Sequence, residues 1–471
     1  MKGLLVKDIL NCSNGKLIFG NENIVCKNFS KDSREIKEGD IYLGIKGENF
    51  NGSLFYKEAI EKGANVCILQ DIDIDYEYMS KLNNKAIILV DDVAEALIKI
   101  ATYKKSLYDI PTIAITGSVG KTSTKDIIAS VVSQKYKTLK TEGNYNNQIG
   151  MPLTMLRIED HEAAVIEMGA DKFGDISLLS KIAKPNIAVF TIIGSSHLES
   201  FGTRENILKA KFELLEGLSK DKVAIINNDN DLLHEWVIKN KEEYENKGYN
   251  IITYGINNIS DIMPMNIKLA PTKSYFDIII DNNSYNVEVP IGGKHFIYNS
   301  LPSFAIAKVL NIDIEKVIMG IKEFKLTKMR MEVKEYSNNV FVINDTYNAS
   351  LDSMKAGLDY LMDTPTKNKI AVLGGMLELG KYSDDLHKQV GKHVAKTNPT
   401  NLITVGEDAK LILEEAILNG YEKERGIAFD NNNQAIKYLL NIPRQDATIY
   451  VKASRSMKLE EICNALEKNL N

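Results

Sequence analysis

The stretch "IAITGSVGKTSTKDII", residues 113–128, decides how the rest of the chain is read. Gly120, Lys121 and Thr122 match the close of the phosphate-loop pattern G-x-x-x-x-G-K-[ST]. The first glycine of that pattern falls at position 115, where this chain has Ile115, and Gly117 follows two residues later. An apolar strand, a glycine turn and then a helix is the context in which backbone N–H groups and a helix N-terminus face an anion. In that reading Gly117, Ser118, Val119, Gly120 and Ser123 wrap the phosphates of a nucleotide. Lys121 reaches the β and γ phosphates, and the Thr122 hydroxyl serves Mg2+. An ordinary glycine-rich turn into a helix is the alternative, because the pattern alone is degenerate.

Around the loop, "TIAIT" is a continuous apolar run, as in a strand buried on both faces. A helix follows, then "AAVIEMG" and "NIAVFTII" as further buried strands, and alternation through "KVAIINND" predicts a mostly parallel α/β sheet. "FDIIIDNNSYNVEVP" reads as two strands joined by "DNNS", a small antiparallel annex. Upstream, short strands mix with helices over 54–64 and 93–108, until Pro111 breaks the pattern. Beyond a helical segment ending near 324–328, "VFVIND", a helix from Ser353, "KIAVLGG", "NLITVG" and "ATIYVKA" form a third α/β unit. The expected domains are 1–108, 109–325 and 326–471.

Length supports this, since 471 residues exceed one ordinary core. A net charge of −5 gives no electrostatic argument for nucleic acid. The four cysteines, Cys12, Cys26, Cys67 and Cys463, form no zinc spacing and read as scattered thiols. Lys7 and Asp8 interrupt the apolar start, which argues against a signal peptide, and "IAVFTII" is far short of a membrane span. A cytoplasmic monomer is expected.

Four further places carry chemistry-bearing residues. "EGNYNNQIG" sets three asparagines near two glycines, a polar loop suited to phosphates or a sugar with Asn144 and Asn147 as the named candidates, or else is a solvated turn. Glu167 ends a buried strand, where a phosphate-loop enzyme holds its metal; elsewhere it would be a strand end entering solvent. His197 follows the strand "NIAVFTII", and Lys211 lies within a helix. Taken singly, those two read as a structural histidine and a solvated lysine.

Together these residues resemble the Mur ligase family, the ATP-dependent amino-acid and peptide ligases of bacterial cell-wall synthesis. Thr116–Thr122 match the family's shortened loop T-G-[ST]-x-G-K-[ST], Glu167 its metal-binding glutamate, and His197 the histidine of an H-L-E segment. Ala210-Lys211 match an A-K pair whose lysine is carbamylated. The resemblance implies ATP, two Mg2+ sites (Thr122 with Glu167, His197 with Lys211) and a carbamate on Lys211. Lys121, His197 and Lys211 become the expected catalytic residues.

The resemblance extends along the chain. "KHFIYNSLPSFAIA" is similar to H-N-x-x-N-x-x-A-A, making His295 and Asn299 adenine-side candidates, with Phe296 in place of an asparagine. Arg330 would reach the nucleotide phosphates and Asp345 the ribose. Tyr347 and Asn348, in "INDTYNASLDSM", resemble D-x-Y-N-A-N-P-x-S-M of the branch that adds D-alanyl-D-alanine; Ser350 and Leu351 depart from it. "LGGMLELG" with His387, and "VKASRSMKLE", are similar to further segments of that branch, with Gly375 and Ala453 as departures. Ser33 and Arg34 resemble a UDP-sugar module, although Asn51 and Ser53 depart from its D-G-H.

The implied fold is a three-domain α/β protein: a UDP-substrate domain, a central phosphate-loop domain with an antiparallel annex, and a Rossmann-like C-terminal domain. The implied activity is ATP-driven addition of D-alanyl-D-alanine to UDP-N-acetylmuramoyl-tripeptide. The sister ligase adding L-lysine or diaminopimelate would show D-[YH]-x-H-x-P and often D-N-P-R, and neither is present. Folylpolyglutamate synthase would lack the N-terminal module. A non-ligase nucleotide-binding regulator would leave His197 and Lys211 without a purpose.

Overall fold

The computed structural model describes residues 3–270, 272–442 and 445–470. Strands such as Thr112–Thr116, Ala163–Glu167 and Val223–Asn227 are buried at every residue, so neither face can be given to water. They form the interior of a six-stranded, wholly parallel sheet. Its order is Asn250–Tyr254, Val223–Asn227, Ile187–Phe190, Thr112–Thr116, Ala163–Glu167, Thr138–Lys140. The strand order reverses about Thr112–Thr116, so the loops after it and after its two neighbours open one crevice. That is where open parallel sheets bind ligands.

The annex is a three-stranded antiparallel sheet, Pro264–Leu269, Ser274–Ile280 and Asn283–Val289, one strand more than the hairpin reading supplied. Its second turn is only Asp281-Asn282, both left-handed (φ 50° and 63°), and Asn283 and Ser284 already belong to the strand. Two consecutive positive φ values match the right-handed twist of a tight hairpin.

On the N-terminal side, five strands run in the order Lys16–Phe19, Ala86–Leu89, Val66–Leu69, Ile41–Leu43, Phe29–Ser30, parallel except for the first pair. Leu4–Leu5 and Val25–Cys26 form a separate antiparallel pair. The C-terminal sheet runs Glu332–Tyr336, Val340–Asp345, Ala447–Lys452, Asn368–Gly374, Asn401–Val405, Gly426–Phe429, again parallel apart from its edge pair. This is the expected α/β architecture.

Helix limits differ modestly from expectation. The helix read over 93–108 is Val93–Ser106, and that over 54–64 is a 3-10 turn, Gly52–Phe55, leading into Tyr56–Glu61. One apolar cluster runs from Ile113 and Val189 through Phe296 and Phe304 to Leu358 and Tyr450, tying the central and C-terminal sheets together. All four cysteines are free thiols, three of them buried. Among the described residues no helix is long and apolar enough to cross a membrane.

Candidate active site

The glycine loop joins Thr112–Thr116 to the helix Lys121–Val132. It lies against the next strand's exit: Ser118 N–H donates to Ile192 O (2.6 Å), and Thr191 Oγ–H donates to Val119 O (2.7 Å). A Cβ on Gly117, whose φ is +149°, would stand 2.0 Å from Thr191 Oγ1, so only glycine allows this approach. The helix begins after Gly120, which has no side chain to cap the first N–H groups. Those donors therefore face the crevice with the positive end of the helix behind them. Lys121 Nζ folds back onto Gly117 O (2.8 Å) and Ser118 O (3.3 Å). Ser118 Oγ is buried with no hydrogen-bond partner among the described residues.

Glu167 reaches the crevice from the adjoining strand and is only 2% exposed. Asn146 Nδ2 donates to its Oε1 at 2.7 Å, while Oε2 is buried without a partner among the described residues. Asn146 belongs to the asparagine run expected near phosphates or a sugar, but is not one of its named candidates, and its contact is with Glu167. Asn147 instead accepts the N–H groups of Ile149 and Gly150, starting the helix Gly150–Leu156, and Asn144 is exposed.

The third wall follows Ile187–Phe190. His197 adopts a left-handed conformation (φ 60°), and its Nδ1 lies 3.5 Å from Asp171 Oδ1 and 3.6 Å from Glu378 Oε2. Thr203 then caps the helix Arg204–Phe212 by accepting the Asn206 N–H, which turns Lys211 inward, 2% exposed. Burial first, and then the charge of Lys121, push the Lys211 amine down to about 7. Burial likewise lowers His197 and Lys121, against the pull of Asp171 on one and Glu167 on the other. Several cationic groups thus disfavour one another's charge in one crevice, the environment a polyanion relieves.

From the C-terminal unit, Arg330 stacks on Tyr347 with its guanidinium carbon 4.2 Å from the ring centre. Its Nε is buried without a partner among the described residues. Asn299 Oδ1 accepts from Thr124 Oγ1 (3.2 Å) on the loop's own helix. His295 packs between Phe296 and Tyr360, and burial pushes its imidazole down to about 4. Asp345 is already engaged: its Oδ2 accepts from Lys452 Nζ (2.5 Å) and Tyr450 OH (3.1 Å).

With this geometry in view, comparison with known proteins places the chain. Residues 27–105 match the Mur ligase family catalytic domain, 115–307 the Mur ligase middle domain, and 329–455 the glutamate ligase domain. A UDP-N-acetylmuramoyl-tripeptide–D-alanyl-D-alanine ligase of Bacillus subtilis is 35% identical, with 94% of each chain covered. The chain belongs to the Mur ligase family. The ligase of the same name from Escherichia coli is 28% identical over 100% of this chain and 99% of that one. Among solved structures, MurF from Acinetobacter baumannii superposes with a TM-score of 0.87 at 28% identity, covering 99% of both chains. MurF from Thermotoga maritima in complex with ADP gives 0.80 at 27% identity, covering 94% and 98%.

Within this Mur ligase the departures have local reasons. Phe296 is 1% exposed and fills the shared apolar cluster, where an asparagine would need partners. Ser53 is buried, donating to Gly44 O and accepting the Gln70 N–H, and Asn51 accepts the Ser53 N–H. Ala453 is fully buried, and a Cβ on Gly374 would meet it at 2.6 Å. His387 is structural, its Nδ1–H donating to Ser383 O and its Nε2 accepting the Met376 N–H. Ser33 is buried, whereas the Arg34 side chain is 80% exposed and paired with Asp32. Asn348 Oδ1 accepts the Ala349 N–H.

Proposed function

We propose that this chain is an ATP-dependent amide ligase joining D-alanyl-D-alanine to UDP-N-acetylmuramoyl-tripeptide, giving the pentapeptide precursor of the bacterial cell wall. The observation that carries this reading is full-length similarity to ligases of that name. The crevice supports it, with a glycine loop, convergent cations and unpaired buried oxygens. Residues 1–108 hold the UDP end, with Ser33 and Arg34 beside it. Residues 109–325 hold ATP, and residues 326–471 present the dipeptide near Tyr347 and Asn348. Asn144 and Asn147 lie on the nucleotide side, His295 and Asn299 on the adenine side, and a ribose hydroxyl at Asp345 would share Oδ1 with the Met331 N–H.

The tripeptide's terminal carboxylate attacks the γ-phosphorus; an O–P bond forms and the β–γ bridging oxygen leaves with ADP. The dipeptide amine then attacks the acyl carbon, and the tetrahedral adduct expels phosphate as the amide forms. Carboxylate and triphosphate repel, so this chain must offset charge before it can align the reactants. Lys121 leaves its own loop carbonyls for the phosphates, the N–H groups after Gly120 face them, and Arg330 approaches from the other side.

Mg2+ would neutralise phosphate charge, held by Thr122 and Glu167 at one place and by His197 and carbamylated Lys211 at another. Among the described residues no three His, Cys, Asp or Glu cluster to hold a metal. That suits an ion taking one or two protein ligands with phosphates and water, and the unpartnered Glu167 Oε2 suits its preference for oxygen. The substrates are small molecules, and a monomer in the cytoplasm suffices for the reaction.

The test is ADP release measured with each substrate omitted in turn. Release that requires both the UDP-tripeptide and D-alanyl-D-alanine supports the ligase. Release with neither acceptor marks a simple ATPase, and use of free L-lysine or diaminopimelate marks the sister ligase. Tripeptides ending in lysine and in diaminopimelate, assayed side by side, identify the preferred substrate.

A further inference from the structure

Arg330 is carried on a turn that its own backbone disfavours. Met329 and Met331, on either side of it, are both left-handed, with φ 61° and 49°. Residues with a Cβ hold that conformation when their surroundings impose it. Here the surroundings are three hydrogen bonds. Met331 N–H donates to Asp345 Oδ1 (3.2 Å), Tyr347 N–H to Met329 O (3.1 Å), and Met329 N–H to Glu332 Oε2 (3.5 Å).

Asp345 is itself fixed from the neighbouring strand. Asp345 and Lys452 are register partners at the ends of Val340–Asp345 and Ala447–Lys452, both buried in the C-terminal sheet. Lys452 Nζ donates to Asp345 Oδ2 (2.5 Å) and to Asn348 O (3.0 Å), and Tyr450 OH donates to the same carboxylate oxygen (3.1 Å). A continuous path therefore runs from the rigid sheet through one carboxylate to the strained turn. It ends at a guanidinium stacked on Tyr347 with an unpartnered Nε.

We propose that Lys452 and Tyr450 are positioning residues: through Asp345 they hold the Met329–Met331 turn and so aim Arg330 at the nucleotide phosphates. This rests on the reading that Arg330 contacts those phosphates. A buried ion pair could instead serve only to stabilise the unit that contains it. The two roles differ in one respect. A positioning residue loses its effect once the group it positions is gone.

The experiment is a pair of double-mutant cycles, reading kcat and KM for ATP with both other substrates saturating. Arg330→Ala should lower kcat/KM for ATP by about 100-fold, the scale for removing one preorganised charge stabiliser. Lys452→Met should lower it at least about tenfold and Tyr450→Phe about threefold, with KM for the UDP-substrate unchanged. In the Arg330→Ala background each further loss should shrink below about twofold. Losses that multiply overturn the positioning role while leaving Arg330 on the phosphates. Wild-type ATP kinetics in Arg330→Ala overturn that reading and the proposal with it. If Lys452→Met does not fold, Tyr450→Phe decides alone, since it deletes one hydroxyl; no effect in either background, or equal effects in both, overturns the proposal.

Discussion

Lys211 illustrates how burial alters the chemistry of one side chain. A solvated lysine is almost wholly protonated at neutral pH, but with its amine pushed down to about 7 roughly half is neutral there. The neutral amine is the form that adds CO2, making an N–C bond and releasing a proton. The product is an anion, so Lys121, which opposes the ammonium, would attract the carbamate. Lys211→Ala should therefore lower turnover by about 100-fold or more, the scale for losing a charge-stabilising group. A short carboxylate such as acetate should restore part of it by filling the vacated place. Lys211→Arg keeps a fixed positive charge and should be equally inactive, with no rescue. Full activity in Lys211→Ala would sink the carbamate. Only the family resemblance distinguished Lys211 and His197 from a solvated lysine and a structural histidine. Asp171 and Glu378, and the pairing of Asn146 with Glu167, escaped because these contacts are made by the fold, far from any local spacing.

At the scale of elements, the strands were the most legible, because a run of apolar residues buried on both faces has few other uses. Helix starts were harder, since they depend on a single capping side chain. The helix read from Ser353 begins two residues earlier, at Leu351. Ser350 caps it by accepting the Ser353 N–H, and Ser353 Oγ accepts the Ser350 N–H in return. This accounts for the departure from the family's Asn-Pro. Asparagine and serine are comparably strong N-caps, and proline is favoured at the first helical position. Leu351 there gives up the fixed φ and joins the core instead, 6% exposed. Ser350→Asn should change stability by less than about 0.5 kcal/mol, and Ser350→Ala should cost about 1 kcal/mol. Thermal unfolding of both variants checks this; equal losses would mean that the hydroxyl is not acting as a cap.

Across the whole molecule, besides the shared apolar cluster and the Asp126–Thr327 bonds, one set of contacts between the central and C-terminal units falls on the segment 193–202, which carries His197. Asp352 Oδ2 accepts the Ser195 N–H (3.0 Å) and hydroxyl (3.3 Å), and a Cβ on Gly194 would stand 2.1 Å from that oxygen. Glu378 faces His197, a Cβ on Gly380 would meet Glu199 Cδ at 2.7 Å, and Tyr382 OH donates to Gly202 O (3.2 Å). The segment is thus gripped near its start, middle and end by residues of the unit proposed to bring the dipeptide. A site divided in this way favours chemistry only when the units meet, so the Asp352 contact should help set the fraction of time they are joined. Losing one acceptor from a buried N–H costs about 1–3 kcal/mol, enough to lower that fraction about tenfold. Asp352→Ala should then reduce kcat about tenfold and, with ATP and the UDP-substrate bound, give a larger radius of gyration than wild type in small-angle scattering. Asp352→Asn loses the same charge at the helix N-terminus but keeps an oxygen for Ser195, so its thermal midpoint should fall alongside that of Asp352→Ala while its kcat stays within about threefold of wild type. If both variants lose activity equally, the helix charge is responsible and the joint between the units lies elsewhere; if neither does, the contact is incidental to closure.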